Sequence, residues 1–285
     1  METTVATGPS KYATGPIRDI AIPLAAVIGT FTLPIMWIIT LYIVIGQAHF
    51  FTAYRYQYKG GRMNFVYIVT AAVLALGLSW YLLAHGPIAP LLAVSGILFA
   101  MHFALDEFTL HAESLSHEKI LSVVAFTAIF AGLVIHFITQ LPVWIPAVLG
   151  LLVLGCVLVR VFMFMRAPAS HAEVYLGYIA VLIIILSFVF KLPGSILGII
   201  LLLHFINWYV GYGGRVRGNP SRAQSYWLEV FVTLAIMVVL YGAYVLGHQG
   251  YLFAFFGIGS YYAWAIAHIV LSFIASLPRA RTISA

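Results

Sequence analysis

Histidine and carboxylate side chains are concentrated in one short stretch of the sequence, from Phe99 to Glu118. The stretch holds three of the chain's ten histidines and four of its eight acidic residues. If a single helix runs through it, four of these side chains recur at spacings of four, seven and four residues and share one face: His102, Asp106, Glu113 and His117. Glu107 and His111 lie one turn apart on the neighbouring face.

Imidazole and carboxylate groups one helical turn apart form a ligand pattern for non-haem metals. Non-haem Fe(II) oxygenases need two histidines and one carboxylate, with further coordination positions left open. The stretch therefore predicts a metal site. The competing interpretation is an ordinary acidic cap where a membrane helix meets water.

The elements that must position these residues are apolar helices in a membrane. Of 285 residues, 63% are hydrophobic and 8% are charged, which leaves too few polar side chains to cover a water-soluble globule. Several apolar runs reach the roughly 20 residues that cross a bilayer as a helix. The sequence therefore predicts an all-α fold, a polytopic integral membrane helix bundle of about nine transmembrane helices, with the lipid bilayer as its surroundings.

Two further features of the composition exclude other classes of protein. Cys156 is the single cysteine, so no intramolecular disulfide can form. The net charge of +6 comes from short basic clusters between the apolar runs. Membrane orientation requires this pattern, whereas a nucleic-acid-binding stripe would be continuous, so no nucleic-acid partner is expected.

The chain divides into a loose leader at residues 1–18, a transmembrane helical domain at 19–276 and a cytoplasmic tail at 277–285. The domain can be drawn as nine spans, at residues 20–48, 64–84, 88–106, 120–140, 142–165, 173–190, 193–212, 227–247 and 251–275. The first span is long and contains Pro34, which predicts a kink.

The distribution of basic residues predicts how the spans are oriented. With the N-terminus outside, eleven Lys and Arg residues fall on the cytoplasmic side and three fall outside. The positive-inside rule therefore favours a multi-pass protein of the cell membrane with the N-terminus outside and the C-terminus in the cytoplasm.

Under this orientation, four histidines from four different spans reach a similar depth in the inner leaflet: His49, His102, His204 and His268. A lone buried histidine is usually a core polar group with a hydrogen-bond partner, and His49 alone is typical of an interfacial residue. Four of them at one level, beside Asp106 and Glu107, indicate a shared site, because ionisable side chains inside a membrane are costly and by default functional.

The other six histidines and two of the glutamates are considered separately from this shared site. Three histidines lie near the outer ends of spans: His85, His136 and His248. Three lie in cytoplasmic loops and are expected to be solvated: His111, His117 and His171. Glu173 and Glu229 either orient a metal-ligating histidine or are carboxylates at helix N-termini.

Aromatic residues are frequent on the two spans that carry His204 and His268. Five of them are candidates for binding a flat apolar polyene: Trp208, Tyr209, Tyr212, Tyr262 and Trp264. Such rings bind polyenes through contact area and stacking. The alternative is ordinary packing within a membrane bundle.

Two local patterns in the first half of the chain resemble the Brp/Blh family, the membrane β-carotene 15,15′-dioxygenases that produce retinal. An early span ends in Gly46-Gln47-Ala48-His49, which is similar to the family's G-x-x-H turn. Another span ends in His102-Phe103, followed by the acidic residues Asp106 and Glu107.

Two patterns in the second half extend this resemblance in the same order. One span starts at Pro193 and carries His204 near its cytoplasmic end, and the last span contains Ala267-His268-Ile269-Val270. The chain departs from the family where Phe50-Phe51-Thr52 follows the first histidine and where His204 stands alone instead of a histidine pair.

The resemblance implies an Fe(II) enzyme that uses O₂ to cleave a carotenoid-like apolar substrate. The implied iron ligands are His49, His102, His204 and His268, with Asp106 or Glu107 as a catalytic orienting group or an additional ligand. Because no dinucleotide motif indicates a built-in reductase, a dioxygenase is favoured over a hydroxylase. The alternatives are a histidine-relay transporter or a metal or proton conduit, and a non-catalytic membrane scaffold.

Overall fold

The computed structural model describes most of the chain, and its described residues form helices joined by short turns, with no strand among them. These residues are 16–59, 61, 63–86, 89–111, 113–136, 142–164 and 168–276. The predicted tail at 277–285 lies outside the described residues, as does the predicted leader except for its last three residues.

Eleven α-helices follow one another in the described part of the chain. They are α1 (Pro16–Thr32), α2 (Ile35–Lys59), α3 (Phe65–His85), α4 (Ala89–Leu110), α5 (His117–Val134), α6 (Trp144–Phe164), α7 (His171–Ile184), α8 (Pro193–Val216), α9 (Pro220–Val245), α10 (Phe253–Phe256) and α11 (Ile258–Ser276). A π-helical turn, Ile185–Val189, continues α7, and a 3-10 turn, Gly250–Leu252, precedes α10.

Eight of these helices are long and apolar enough to cross a bilayer. A ninth span results if the segments Gly250–Phe256 and Gly259–Ile274, which meet at an angle of 52°, count as one. The prediction of an all-α polytopic membrane bundle is therefore confirmed.

The first predicted span, residues 20–48, is wrong in its boundaries because two helices share it. Helix α1 ends at Thr32 and α2 begins at Ile35, with Pro34 between them. Proline has no N–H to donate, so the hydrogen-bond ladder is interrupted there. The spanning helix is α2, which continues to Lys59 and carries His49 inside the bundle and not at its end.

The histidine- and acid-rich stretch is not one helix, so the predicted shared face of four side chains is wrong. Helix α4 ends at Leu110, and residues 113–116 are non-helical. The last carbonyl groups of an α-helix have no N–H donor within the helix. One of them, that of Thr109, accepts a hydrogen bond from Arg215 Nη2 at 2.5 Å. Of the predicted face, only His102 and Asp106 remain one turn apart on the same helix.

The two outlying carboxylates have structural roles. Glu173 forms a capping box with Ser170 at the start of α7 and accepts two hydrogen bonds from Arg160, at 2.8 and 3.0 Å. Glu229 is not at a helix start, because α9 begins at Pro220, about two turns earlier. It pairs with Arg55 at 2.9 Å and Lys59 at 2.8 Å.

A further carboxylate links the α4–α5 connection to α7. Glu113 accepts hydrogen bonds from Lys119 Nζ at 3.0 Å and from the Ala172 N–H at 3.2 Å. Burial by itself would raise the pKa of Glu113, but hydrogen bonds from Ser170, Lys119 and Ala172 outweigh it and hold this pKa below its usual range. The carboxylate therefore stays charged, and it joins three elements at the polar end of the bundle.

Helices α2, α4 and α8 are the central helices of the bundle. In an 18-residue apolar segment of each helix, 56%, 56% and 61% is buried, whereas the corresponding shares for α3, α6 and α9 are 17%, 6% and 11%. The peripheral helices therefore turn most of their apolar surface outward, where lipid would cover it. The central helices carry three of the four clustered histidines, and α11, which packs on α2, α3 and α4, carries the fourth.

Close approach between α2 and α8 depends on a glycine. A Cβ atom at Gly198 would lie 2.5 Å from Ile38 Cγ2, and Ile38 is fully buried. In a membrane, small residues at helix interfaces allow this packing, which replaces the hydrophobic driving force available in water. Gly198 therefore sets the spacing between the helices that carry His49 and His204.

We expect Gly198→Ala to lower the free energy of unfolding by about 1–3 kcal/mol, because the added methyl group overpacks this contact. Gly177→Ala on α7 is the matched control, since no described residue of a neighbouring element has an atom within 4 Å of the corresponding Cβ position. Denaturation in mixed micelles measures both variants. Equal stability of the two variants would contradict the close contact.

Candidate metal centre

Four imidazole rings from four helices meet inside the bundle. They belong to His49 on α2, His102 on α4, His204 on α8 and His268 on α11, and all four side chains are almost fully buried. Ring centroids of His49 lie 5.4 Å from His204 and 4.9 Å from His268. Those of His102 lie 5.1 Å from His204 and 5.3 Å from His268. The four rings therefore form a closed set, which we call the histidine cluster.

Asp106 lies beside this cluster, one turn after His102 on α4. Its Oδ2 atom is 3.4 Å from His102 Nε2 and 4.0 Å from His204 Nε2. One potential ligand atom from each of His102, Asp106 and His204 lies within 4.8 Å of the others. This triad matches the two-histidine, one-carboxylate ligand type.

The ring nitrogens of the cluster have unmet hydrogen-bonding capacity. Both nitrogens of His49, His204 and His268, and Nε2 of His102, are buried and have no hydrogen-bond partner in the described part of the chain. Such groups are rare, because each unpaired buried polar group costs about 1–3 kcal/mol. A cation held by one nitrogen lone pair of each ring would compensate part of this cost, since the second nitrogen of a neutral imidazole carries a hydrogen.

The space and donor set of the cluster fit a metal ion. A void of about 10 Å³ lies among His102, His204 and His268, which is roughly the room for one water-sized probe. Imidazoles that each point a nitrogen at a common ion about 2.1 Å away place neighbouring rings roughly 5 Å apart. Imidazole and carboxylate donors suit several divalent first-row metals, iron among them, so the donors alone do not select one.

The two adjacent acidic residues have different surroundings. Asp106 is the one near the imidazoles, whereas Glu107 is fully buried on another face of α4. Glu107 Oε1 accepts a hydrogen bond from Asn207 Nδ2 at 3.2 Å, and the same amide group donates to Tyr175 Oη at 2.7 Å. This network joins α4, α7 and α8 one turn beyond the histidine cluster.

His111 belongs to the same network, so its predicted solvation is wrong. Its side chain is 4% exposed, and Nδ1 lies 2.8 Å from the Glu107 carbonyl oxygen and 3.7 Å from Glu107 Oε2. The other histidines predicted to lie outside the cluster are exposed: His85, His117, His136, His171 and His248. Sequence reasoning missed the network, although Asn207 lies one turn after His204 and could have been considered with Glu107.

The five aromatic candidates for substrate binding occupy three different places. Trp208 and Tyr209 pack edge-on against His49, at 4.8 and 5.9 Å. Tyr212 stacks on Trp208 at 5.5 Å and packs against Tyr56, toward the polar end. These three side chains form an aromatic layer between the cluster and the polar end of the bundle.

The remaining two candidates lie on α11. Trp264 donates to the Ala254 carbonyl at 2.9 Å and stacks on Phe255 at 5.4 Å, so its ring belongs to the packing between α10 and α11. Tyr262 lines an apolar cavity. Only Tyr262 among the five lines this cavity, and the prediction had no signal that distinguished it from its neighbours.

The apolar cavity lies between five helices and ends at the histidine cluster. It has a volume of about 290 Å³ and is bounded by α2, α4, α5, α8 and α11. Five of its lining residues also line the void among the imidazoles: Phe99, Leu201, Tyr261, Ala265 and Ile269. The lining is hydrocarbon and aromatic apart from a few hydroxyl groups, as expected for a site that binds an apolar molecule.

Comparison of the chain with protein-family models, with curated proteins and with solved structures finds no match. Its function is therefore inferred from the arrangement of its own residues.

We expect Asn207→Leu to lower the free energy of unfolding by about 1–3 kcal/mol, because the substitution removes the amide donor to Glu107 and Tyr175 at a buried position. Tyr175→Phe removes one hydroxyl group of the network and is expected to have a smaller effect. Denaturation in mixed micelles ranks the two variants. An unchanged midpoint for Asn207→Leu would show that the network does not hold α4 to α8.

Proposed function

We propose that this chain is a membrane-embedded, non-haem iron, O₂-dependent oxygenase that acts on an apolar, lipid-soluble substrate. The observation that carries the proposal is a buried cluster of four histidines at the end of an apolar cavity, with Asp106 beside it and most of its ring nitrogens unpaired among the described residues. The resemblance to the Brp/Blh family supports a carotenoid as the substrate and an apocarotenal as the product.

The histidine cluster would hold the iron, with each helix of the set contributing one imidazole. His102 and His204, with Asp106, form the triad of potential ligand atoms, and His49 and His268 complete the group. Asp106 either joins the ligands or, from its position 3.4 Å from His102 Nε2, orients that ring, in which case the other ring nitrogen of His102 would be the ligand. When bound, iron at such a site supplies the activation of O₂.

The remaining residues bind substrate and exclude water. A C=C double bond of a polyene would lie against the cluster, between Phe99, Leu201 and Tyr261. Insertion of both atoms of O₂ across that double bond yields two carbonyl groups and balances without external electrons. This agrees with a chain in which no dinucleotide motif is found, and it favours a dioxygenase.

The proposal includes the membrane orientation inferred from charge. The polar end of the bundle carries Arg55, Lys59 and Arg215, close to the turns that leave α2 and α8. With this end in the cytoplasm, the N-terminus lies outside the cell membrane and the C-terminus inside, in accordance with the positive-inside rule.

A conduit for protons or metal ions receives less support from the same geometry. A relay needs polar groups on both sides of the cluster. The described residues that line the cavity carry no carboxylate, imidazole, ammonium or guanidinium group. No second function is therefore proposed.

We expect His102→Ala to lower bound iron at least about tenfold, since even outer-shell substitutions at metal sites cost 10–100-fold. His248→Ala is the control, because this exposed histidine follows the end of α9, outside the cluster. Both variants are expressed together with a carotenoid pathway, and the iron content of the purified protein and the pigment products of the cells are measured. Normal iron and normal products with His102→Ala would refute the ligand assignment.

A further inference from the structure

The cavity lies on one side of the histidine cluster along the bundle. On each of the three central helices, its lining residues precede the histidine: Ile35, Ile39 and Tyr42 on α2, Leu92 to Phe99 on α4, and Gly194 to Leu201 on α8. On α11 they include Tyr261 and Ala265, one to two turns before His268. The cluster is therefore at the end of the cavity and not halfway along it.

The length of the cavity follows from helix geometry. From Ile35 to His49 the helix rises roughly 21 Å, and from Leu92 to His102 or from Gly194 to His204 it rises roughly 15 Å. An extended carbon chain advances roughly 1.2 Å per bond. The cavity therefore matches a linear chain of roughly 12–17 bonds, which is the length of a C15–C20 isoprenoid.

The opposite side of the cluster is closed to a hydrocarbon. The rings of Trp208 and Tyr209 pack against His49, and Phe50 stacks on His268 at 4.8 Å. One turn further along the helices lie the side chains of Asp106 and the Glu107–Asn207 pair. An apolar chain that passed the cluster would have to desolvate these polar groups without pairing them, which is unfavourable.

We infer that the site takes a linear isoprenoid or polyene end-first, with its leading end at the histidine cluster and the rest of the chain in the cavity. Oxidative cleavage of the bound chain rests on the proposed function, whereas end-first binding does not. A C20 chain fills the cavity. A C40 carotenoid places a bond near one terminus at the cluster, and its central bond lies near the end of the cavity farthest from the cluster, so cleavage is eccentric.

Ala265 is the specificity-determining position of this arrangement. It lines both the cavity and the void among the imidazoles, so a large side chain there would separate the two. Ala265→Phe is expected to keep the leading end of the chain away from the cluster without altering any of the four histidines. Val239→Phe is the matched control, because Val239 on α9 is 69% exposed on the lipid-facing surface.

The first experiment uses the unmodified protein in detergent and needs no iron. Binding of all-trans-retinol is followed by energy transfer from tryptophan, with geraniol (C10), geranylgeraniol (C20) and β-carotene (C40) as competitors. We expect geraniol to compete at least about tenfold more weakly than geranylgeraniol, because each added methylene is buried until the cavity is full. β-Carotene is expected to gain no further affinity over the C20 chain.

The second experiment compares the two variants and the cleavage products. Ala265→Phe is expected to weaken retinol binding at least about tenfold with normal iron content, and Val239→Phe to leave binding unchanged. With β-carotene, the iron-loaded protein is expected to give a long and a short fragment.

Retinol binding that is absent, or unaffected by Ala265→Phe, overturns the end-first site, as does retinal as the sole product. Length-dependent binding without iron or products supports the site and refutes the proposed function.

Discussion

The burial of four imidazoles, with seven of their eight ring nitrogens lacking a hydrogen-bond partner among the described residues, is the constraint on which the rest of this structure depends. Each unpaired buried polar group costs about 1–3 kcal/mol, so the ring nitrogens of His49, His102, His204 and His268 together represent a cost comparable with the roughly 5–15 kcal/mol of net stability of a domain. The four rings nevertheless come together from four different helices. A shared cation offsets part of that cost, because the one lone-pair nitrogen of each neutral imidazole then has a partner inside the bundle.

The surrounding structure holds the four helices at the spacing that this arrangement needs. Gly198 brings α8 close to α2, and the Glu107–Asn207–Tyr175 network fixes α8 against α4 and α7 one turn beyond His204. The ion pairs Arg55–Glu229 and Arg160–Glu173 lie at one end of the bundle, and an apolar cavity occupies the other side of the cluster. The cluster therefore lies between a polar and an apolar part of the bundle.

The fold could be predicted because it follows from composition and from the length of apolar runs. The convergence of the four histidines could be expected from depth alone, since residues at one level of a bundle are the ones that can meet. The break after Leu110 could not be predicted, because it depends on tertiary contacts such as Arg215 with Thr109. Asp106 and Glu107 have separate surroundings, and His111 is buried, because of the way α4 is rotated about its own axis. A span with apolar residues on all its faces gives no pattern from which this rotation could be predicted. The resemblance to the Brp/Blh family stays a prediction.

X-ray absorption spectroscopy of the iron-loaded protein tests the central claim most directly. The account predicts about one iron per chain, with nitrogen and oxygen ligands at roughly 2.0–2.2 Å and the multiple-scattering signature of several imidazoles. This imidazole signature should weaken when any one of the four histidines is replaced: His49, His102, His204 or His268. Iron that binds without imidazole ligands, or a purified chain that binds no divalent first-row metal, would contradict the account.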